Sequence, residues 1–288
     1  MLTTKQKVWL ASRAYDVVSL GRRAVGQGNI ATVSRGGLRW RLDLSEGIDF
    51  AIYLLAAFEG STVATLQKLV KPGDAVFDIG ANIGGHTLGM ARSVGPGGKV
   101  YAFEPADFAF EKLKTNLALN PELNERTYPQ QILLAASASE DRESEIYASW
   151  PLETKEAVHP KHRGALVTTK GAVVDTLDDF TERTGIERLN LIKMDVDGNE
   201  LPVLQGGVNV LKRFRPILVM ELSPYVHREH HHDFGVFVEL LREAGYSLQD
   251  ADNWKPLPMD AAKLDEMISD GASINAIGSP LQPVSDQK

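Results

Sequence analysis

Short apolar runs alternate with amphipathic segments through most of this chain, and no other sequence feature constrains the fold as strongly. Five runs are apolar on both faces, as the buried strands of a parallel sheet are. These runs are residues 75–79, 99–103, 131–135, 189–194 and 217–221. Segments with helical spacing lie between and after them, at residues 87–92, 107–119, 200–211 and 234–244. The alternation predicts an α/β fold in which helices cover a doubly wound, mostly parallel sheet.

The flanking segments complete the predicted organisation. Residues 38–44 alternate apolar and polar side chains, as a half-buried strand does, and residues 61–70 read as a short helix capped by Ser61. Residues 246–249 and 273–277 are predicted to pair at the edge of the sheet. The predicted domains are an N-terminal extension of helix plus β segment over residues 1–60, a main domain over 61–280 and a polar tail over 281–288.

Composition excludes several classes of protein. The chain has no cysteine, so disulfide scaffolds, thiolate nucleophiles, Cys-ligated zinc and iron–sulfur clusters are ruled out. Its formal net charge of −7 argues against a nucleic-acid partner. The longest apolar run, residues 50–58, is shorter than the roughly 20 residues that a membrane span requires. Because the N-terminal sequence also lacks a secretory signal, we expect a cytoplasmic location.

The stretch GDAVFDIGANIGGHTLGMA, residues 73–91, is the most informative about function. An apolar strand that contains Asp78 runs into a glycine-rich turn, and a helix follows. Gly80, Asn82 and Gly85 occupy the three fixed positions of a G-x-G-x-x-G dinucleotide fingerprint. The middle glycine is missing, and close approach to a pyrophosphate needs that bare backbone. The turn therefore favours a ligand without a pyrophosphate.

The following strand ends at Glu104, nineteen residues after Gly85. In nucleotide-binding α/β folds, an acid at the tip of the second strand accepts hydrogen bonds from ribose hydroxyls. The combination of Asp78, the glycine-rich turn and Glu104 describes S-adenosylmethionine, which has a ribose and no phosphate.

With these motifs, the sequence resembles the FkbM-family methyltransferases, a branch of the class I S-adenosylmethionine-dependent enzymes, over roughly residues 38–222. The resemblance rests on the glycine-rich turn together with YAFEPADFAFEKLKTNLALN, LNLIKMDVDGNELPVLQGG and RPILVMEL. The family's D-V-E-G reads D-V-D-G here, at residues 195–198. The resemblance implies a seven-stranded Rossmann-like methyltransferase sheet. It also implies O-methylation of a small molecule or saccharide, in natural-product or polysaccharide pathways.

The resemblance also implies a set of cofactor-binding residues. Those at the methionine end of S-adenosylmethionine are Asp78, Gly80, Asn82 and Gly84, and Glu104 holds the ribose. Thr87 and Ala136 are weaker additions. Glu59 matches a recurrent acid of the family that would close the cofactor pocket, although an exposed acid near a helix N-terminus explains it equally well.

Two acids near strand ends are the candidate catalytic residues. Asp195 is placed in the crevice outside the carboxyl ends of the strands, where α/β sheets bind ligands, and Glu221 closes the neighbouring strand. They would act as a general base and its electrostatic partner. A divalent cation such as Mg²⁺ is an open alternative, but the sequence does not support it, so no metal ligand is assigned. Lys193 lies two residues before Asp195 and either pairs with Asp78 or Glu221 or serves the site directly.

The segment VHREHHHDF contains His227, His230, His231 and His232. Consecutive histidines point in different directions and no cysteine completes a metal set, so a polar loop is the favoured interpretation. His227 is a third candidate base, after Asp195 and Glu221, because imidazole titrates near neutral pH.

Several alternatives stay open on the sequence alone. They are an NAD-dependent Rossmann oxidoreductase, a non-catalytic nucleoside-binding protein and, less favoured, a nucleic-acid methyltransferase. Residues 150–164 are the expected substrate-facing lid, because specificity in such folds is carried by loops, and Trp150 and Trp254 are candidates for stacking on a sugar. A homo-oligomer is also possible.

Overall fold

The computed structural model describes residues 4–139, 145–153, 158 and 164–282. The helices are α1 (Thr4–Ala24), α2 (Gly47–Leu55), α3 (Gly60–Leu69), α4 (Thr87–Val94), α5 (Asp107–Ala118), α6 (Pro121–Asn124), α7 (Leu177–Arg183), α8 (Glu200–Gln205), α9 (Val208–Phe214), α10 (Pro224–Glu229), α11 (Phe234–Glu243) and α12 (Ala261–Met267). The strands are β1 (Ile30–Arg35), β2 (Leu38–Asp43), β3 (Ala75–Ile79), β4 (Lys99–Phe103), β5 (Thr127–Gln130), β6 (Ile132–Leu134), β7 (Glu145–Ser149), β8 (Ala165–Thr168), β9 (Val173–Asp175), β10 (Leu191–Met194), β11 (Ile217–Leu222), β12 (Tyr246–Asp250), β13 (Pro256–Leu257) and β14 (Ile274–Pro280).

The chain divides into two compact units, each described by itself. Unit 1 comprises the described residues up to 133 and those within 141–174, and unit 2 comprises those within 134–140 and from 175 onward. The α/β class with parallel strands is confirmed in both units. The predicted boundary at residue 60 stays a prediction.

In unit 1, strands β3, β4 and β5 are parallel neighbours in that order. Every residue of β3 is buried, and the ring of Phe77 on β3 packs 5.2 Å from that of Phe103 on β4. The buried strand predicted over residues 131–135 is present as β6, but its predicted place in the main parallel sheet is wrong. The strand beside β4 is the more polar β5, and β6 pairs instead with β9. Because β5 is a terminal strand of its sheet, it tolerates Pro129, which has no N–H to donate.

The first 55 residues of unit 1 contain α1, the antiparallel hairpin β1–β2 and α2. The hairpin turns at Gly36 and Gly37, whose φ values of 58° and 73° suit a tight primed turn. Trp40 and Phe50 are buried in an apolar cluster that also contains Ile83 and Leu113. The N-terminal segment therefore packs on the same core as the glycine-rich turn.

Two amide side chains cover the outer edge of β2, that of Asn116 on helix α5 and that of Asn120 just after this helix. Asn116 Oδ1 accepts a hydrogen bond of 2.8 Å from the Arg41 N–H. Asn120 Oδ1 accepts from the Arg39 N–H at 3.0 Å, and its Nδ2 donates to the Arg39 carbonyl at 2.7 Å. Backbone groups on the edge of β2 opposite β1 are thus hydrogen bonded to side chains of α5 and of the residues that join it to α6.

In unit 2 the strand order is β13-β12-β14-β11-β10. Strands β10 and β11 are parallel, whereas β14 runs antiparallel to both β11 and β12. The two segments predicted to pair do lie on neighbouring strands, β12 and β14, but residues 246–249 lie opposite 277–280, so only Ile277 of the predicted range 273–277 faces them. We predict seven strands in the main sheet. Among the described residues the structure has three such strands in unit 1 and five in unit 2, which is one more than predicted. The two-residue strand β13 accounts for the difference.

Two local predictions about helices are wrong. The predicted helix over residues 200–211 is two helices, α8 and α9, which break at Gly206 and Gly207. A Cβ at Gly206 would lie 2.1 Å from the Ala135 carbonyl oxygen, so the chain needs glycine at this close approach. Ser61 does not cap α3, because the helix begins one residue earlier and its N-cap residue is Glu59.

Within the described residues, no individual helix combines the length and the apolar character needed to cross a bilayer. Helices α2 and α3 reach that length and hydropathy only as a pair, with a bend of 74° between them.

Candidate functional site

The glycine-rich turn of unit 1 joins β3 to α4 through left-handed backbone. Gly80, Asn82 and Gly84 have φ values of 75°, 47° and 93°. A side chain at Gly84 would place Cβ only 3.0 Å from the Leu113 side chain. The N–H groups of Gly80 and its neighbour Ala81 both donate to the Phe103 carbonyl, at 3.0 and 2.9 Å. The turn is therefore fixed by backbone bonds to the end of β4.

Glu104, directly after β4, is 2% exposed and binds the same turn. Its Oε2 accepts a hydrogen bond of 2.8 Å from the Asn82 N–H, and its Oε1 accepts one of 2.9 Å from the Ala106 N–H. The predicted ribose-binding acid and the glycine-rich turn are thus in direct contact.

Asp78 and Thr87 are brought together at the end of β3 and the beginning of α4. Both side chains are fully buried. Thr87 Oγ1 donates a hydrogen bond of 2.6 Å to Asp78 Oδ2. Thr87 therefore orients the Asp78 carboxylate, which stands near the positive end of the α4 dipole.

Glu59 lies at the N-terminus of α3, with a left-handed φ of 48°. Its Oε2 accepts a hydrogen bond of 3.2 Å from Thr62 Oγ1 and lies 3.7 Å from His86 Nε2. His86 directly precedes α4, and its side chain is 5% exposed. Sequence reasoning did not single out His86, although its position in the turn, between Gly85 and Thr87, was a usable signal.

Ala136 belongs to unit 2, where it is half-buried in the bend after β6. Residues 154–157 and 159–163 of the predicted lid lie outside the described residues. Of the rest, the Trp150 carbonyl accepts from the Gly47 N–H at 2.8 Å. Trp254 has a left-handed φ of 62° and is half-buried in the loop after β12. The lid and the sugar-stacking tryptophans stay predictions.

Unit 2 brings three carboxylates together where β10 and β11 end. Asp195, Asp197 and Glu221 offer oxygens that all lie within 4.8 Å of one another. The parallel register of β10 and β11 pairs Met194 with Met220, which places the next residues, Asp195 and Glu221, side by side. The predicted association of these two acids is therefore present. Asp197, whose φ is 49°, was not predicted as a site residue.

The acids of this cluster act on one another through their charges. Burial raises the pKa of Asp197 well above its ordinary value, and the negative charges of Asp195 and Glu221 raise it further. Lys193, which is 2% exposed, opposes this shift, and its Nζ lies 3.7 Å from Asp195 Oδ2. The Asp197 carboxyl consequently retains a proton to higher pH than an exposed aspartate does. The sequence left open whether Lys193 pairs with Asp78 or Glu221 or serves the site directly, and the structure places it in an ion pair with Asp195.

His227 is placed away from solvent, behind the loop of the acidic cluster. It has no exposed surface, and its ring centroid lies 5.1 Å from that of Phe237 and 5.3 Å from that of Phe234. Its Nε2 is 3.4 Å from Glu200 Oε2, and Glu200 Oε1 accepts from the Val196 N–H at 3.2 Å. Because His227 is enclosed, the structure does not place it where an acceptor can touch it.

The other histidines also serve the loop. His232 Nδ1 is hydrogen bonded to the Gly198 carbonyl oxygen at 2.8 Å. Gly198 has a φ of 93°, and a Cβ there would lie 2.6 Å from Val226 Cγ1. None of these histidines belongs to the cluster of Asp195, Asp197 and Glu221. The segment 227–232 therefore supports the loop 195–198 and leads into α11.

Known methyltransferases are similar to this chain in sequence. Over 211 residues the chain is 27% identical to the hexuronic acid methyltransferase AglP of Haloferax volcanii, a match that covers 72% of this chain and 80% of AglP. It is 31% identical to the 31-O-demethyl-FK506 methyltransferase FkbM of Streptomyces tacrolimicus, over 48% of this chain and 60% of that protein. The chain thus spans only about three fifths of the latter relative.

A solved FkbM methyltransferase structure from Methylobacillus flagellatus is 17% identical, with a TM-score of 0.42, and the match covers 72% of this chain and 43% of that one. The family model for the methyltransferase FkbM domain matches residues 78–248. That range is more than half of the 288 residues, and it includes the glycine-rich turn, Glu104 and the acidic cluster. The chain therefore belongs to the FkbM methyltransferase family and is an enzyme of the methyltransferase class.

Proposed function

We propose that this enzyme transfers a methyl group from S-adenosylmethionine to a hydroxyl oxygen of a small molecule or saccharide. The observation that carries the proposal is the contact of Glu104 with the glycine-rich turn. A buried acid whose oxygens are fixed by the Asn82 and Ala106 N–H groups suits the two hydroxyls of a ribose. The left-handed turn without the middle glycine suits a cofactor that lacks a pyrophosphate.

The cofactor-binding residues that we propose share the ends of β3 and β4 or the adjacent turns. They are Asp78, Gly80, Asn82 and Gly84 for the methionine end and Glu104 for the ribose, with Thr87 orienting Asp78. Glu59 and Ala136 are further lining residues of the proposal. S-adenosylmethionine supplies an electrophilic methyl carbon on a sulfonium, and the protein's part is to hold it in line with the acceptor oxygen and to exclude water.

The acceptor hydroxyl needs a base, because it is a poor nucleophile until its proton leaves. We propose Asp195 as the group that accepts this proton, with Glu221 as its electrostatic partner. Asp197 lies beside both acids, whose negative charges raise its pKa. The buried ammonium of Lys193 partly balances the negative charge of Asp195. His227 has no contact role in this mechanism and holds the loop through Glu200.

Two features of relatives support the acceptor class. AglP is named for the methylation of a hexuronic acid, and FkbM for the methylation of 31-O-demethyl-FK506. No metal is part of the proposal, because the carboxylate cluster already has a lysine ammonium as counter-charge. The cytoplasmic location and the homo-oligomer stay predictions.

Calorimetric titration with S-adenosylhomocysteine tests the cofactor. The wild type is expected to bind at micromolar concentration and not to bind NADH. Glu104→Gln should weaken binding by more than tenfold, because one backbone N–H then faces an amide N–H and the ribose loses a charged acceptor. Glu122→Gln, a change of an exposed acid in α6, is the matched control and should bind as the wild type does. Preference for NADH, or unchanged affinity of Glu104→Gln, would contradict the proposal.

Methyl transfer to a panel of uronic acids and hydroxylated small molecules tests the base. Asp195→Asn is expected to lower kcat by about 10²- to 10⁴-fold, which is the usual contribution of a general base. Its affinity for S-adenosylhomocysteine should stay unchanged. Running each assay with Mg²⁺ and with a chelator asks whether the acidic cluster acts through a cation. A loss of rate on chelation would contradict the metal-free mechanism and indicate that the acidic cluster binds a cation.

A further inference from the structure

Helix α1 presents an apolar face to solvent. Trp9, Leu10, Val17 and Leu20 are 60%, 47%, 73% and 72% exposed. Among the described residues, more than half of the strongly exposed large apolar side chains lie in the first 55 positions. Exposed apolar groups at single positions are ordinary, but a contiguous set of this kind marks an interaction surface.

The exposed residues form one stripe along the helix. Trp9, Val17 and Leu20 follow helical spacing, with Arg13 between them. The opposite stripe contains Tyr15, which is 3% exposed, and Ala11, Ala14 and Val18, which pack against the apolar cluster of unit 1. One face of α1 therefore anchors the helix to unit 1, and the other face has no covering element among the described residues.

The charge of α1 is opposite to that of the chain. Its sequence contains five basic residues and one acidic residue, whereas the whole chain has a net charge of −7. The side chains of Arg13 and Arg23 are about two-thirds exposed. The Arg13 guanidinium lies 5.7 Å from the centre of the Trp9 ring. A cation beside an exposed tryptophan on an apolar stripe is the composition of helices that lie in the interface of an anionic bilayer.

We propose that α1 docks the enzyme on an anionic lipid bilayer, with the stripe of Trp9, Leu10, Val17 and Leu20 entering the boundary between headgroups and acyl chains. Arg13 and Arg23 contact lipid phosphates at the edge of the stripe. A second copy of the chain fits this face less well, because two copies of α1 would bring their excess positive charges together. The bilayer supplies both the apolar layer and the negative charge that the helix lacks.

Co-sedimentation of the full chain with vesicles tests this docking. The vesicles contain phosphatidylcholine with about 30 mol% phosphatidylglycerol, or phosphatidylcholine alone, since the negative surface charge carries part of the attraction. The wild type is expected to sediment with the anionic vesicles and much less with the neutral ones. Raising the salt to about 0.5 M should weaken binding several-fold. At that concentration the ions screen the attraction between the arginine side chains and the anionic headgroups.

The variants separate the two contributions. Trp9→Ser with Leu20→Ser should weaken binding to anionic vesicles by at least about tenfold, since two large apolar groups no longer leave water. Arg13→Gln with Arg23→Gln should remove the preference for anionic over neutral vesicles. Val236→Ser with Met267→Ser alters exposed apolar residues of α11 and α12 and should leave binding unchanged. Circular dichroism and S-adenosylhomocysteine titration confirm that each variant is folded.

Two results would overturn the inference. One is equal sedimentation of the wild type and of the Trp9→Ser, Leu20→Ser variant. The other is a wild type that ignores vesicles while sedimentation equilibrium shows an oligomer that this variant dissociates, which would assign the face to contacts between copies. Neither readout requires methyl transfer, so this inference and the proposed function fail independently.

Discussion

Asp78 is a fully buried carboxylate whose position depends on the side chain that begins the next helix. The bond from Thr87 Oγ1 is 2.6 Å long and joins two groups with no exposed surface. A buried acid is costly unless its oxygens receive donors. The hydroxyl of Thr87 therefore contributes to stability. It also fixes the orientation of the Asp78 carboxylate, which we propose binds the cofactor.

Replacing this hydroxyl by a methyl group of nearly the same size isolates the contribution of the bond. Thr87→Val is expected to lower the unfolding free energy by ~1–3 kcal/mol, the cost of removing a partner from a buried polar group. Affinity for S-adenosylhomocysteine should fall as well. Both quantities are measured by urea unfolding and by calorimetry.

Thr115→Val in α5 is the matched control for that experiment. Thr115 Oγ1 donates to the Glu111 carbonyl at 2.9 Å, but the bond is exposed, so water replaces it. Equal losses of stability in the two variants would show that the Asp78 contact has no special weight.

At the scale of elements, Asp49 joins β2, α2 and α5. Its Oδ1 accepts a hydrogen bond of 2.6 Å from the Asp43 N–H, and the same oxygen lies 2.6 Å from Lys112 Nζ. Burial raises the pKa of Asp49 to about 6, although Lys112 opposes the shift. The contact therefore holds three elements together and also makes their packing dependent on pH.

The sign of this dependence follows from proton binding. Between pH 4 and 6 the folded chain keeps the Asp49 proton after the unfolded chain has released it, so unfolding becomes easier as pH rises. A shift from 3.8 to about 6 corresponds to ~3 kcal/mol. Relative to Asp49→Asn, the wild type should lose about this amount of unfolding free energy across the window. Denaturant unfolding at several pH values measures it.

Asp252→Asn, which changes an exposed acid in the loop after β12, is the control for the loss of one carboxylate. Its unfolding free energy should change with pH in parallel with that of the wild type. A wild-type curve parallel to that of Asp49→Asn would contradict the raised pKa.

Helices and strands that are determined by residues close together in the sequence were predictable. Strands β3 and β4 have the predicted bounds because their runs are mostly apolar and glycine or proline lies close to each end. Residues 131–135 were misassigned since an equally apolar run can be buried outside the main sheet. The break between α8 and α9 was missed because it depends on how closely Gly206 approaches Ala135, a contact that no local pattern records.

The candidate site shows the same division. Glu104 and the glycine-rich turn could be paired in advance, because the carboxyl ends of neighbouring parallel strands meet at one edge of a sheet. His86 and Asp197 were missed since their burial and their charged neighbours come from residues distant in the sequence. His227 was proposed as a base from its residue type alone, and its complete burial against Phe234 and Phe237 was not visible at that level.

At the scale of the whole molecule, binding of the cofactor product should stabilise the fold. A ligand that binds only the folded chain at 100 times its Kd adds ~2.7 kcal/mol. For a chain of this size, that energy corresponds to a rise in Tm of about 5 °C. Thermal unfolding with S-adenosylhomocysteine should show the rise, and Glu104→Gln should reduce it. An equal rise with NADH would contradict the proposed cofactor.

The amides of Asn116 and Asn120 have a consequence for how these molecules behave in concentrated solution. An uncovered strand edge is a template on which a strand of another chain can add, and a two-stranded hairpin has two such edges. On β2 the amides occupy the positions that an incoming strand would use. The two amides thereby protect the hairpin against intermolecular sheet growth, the first step toward fibrils.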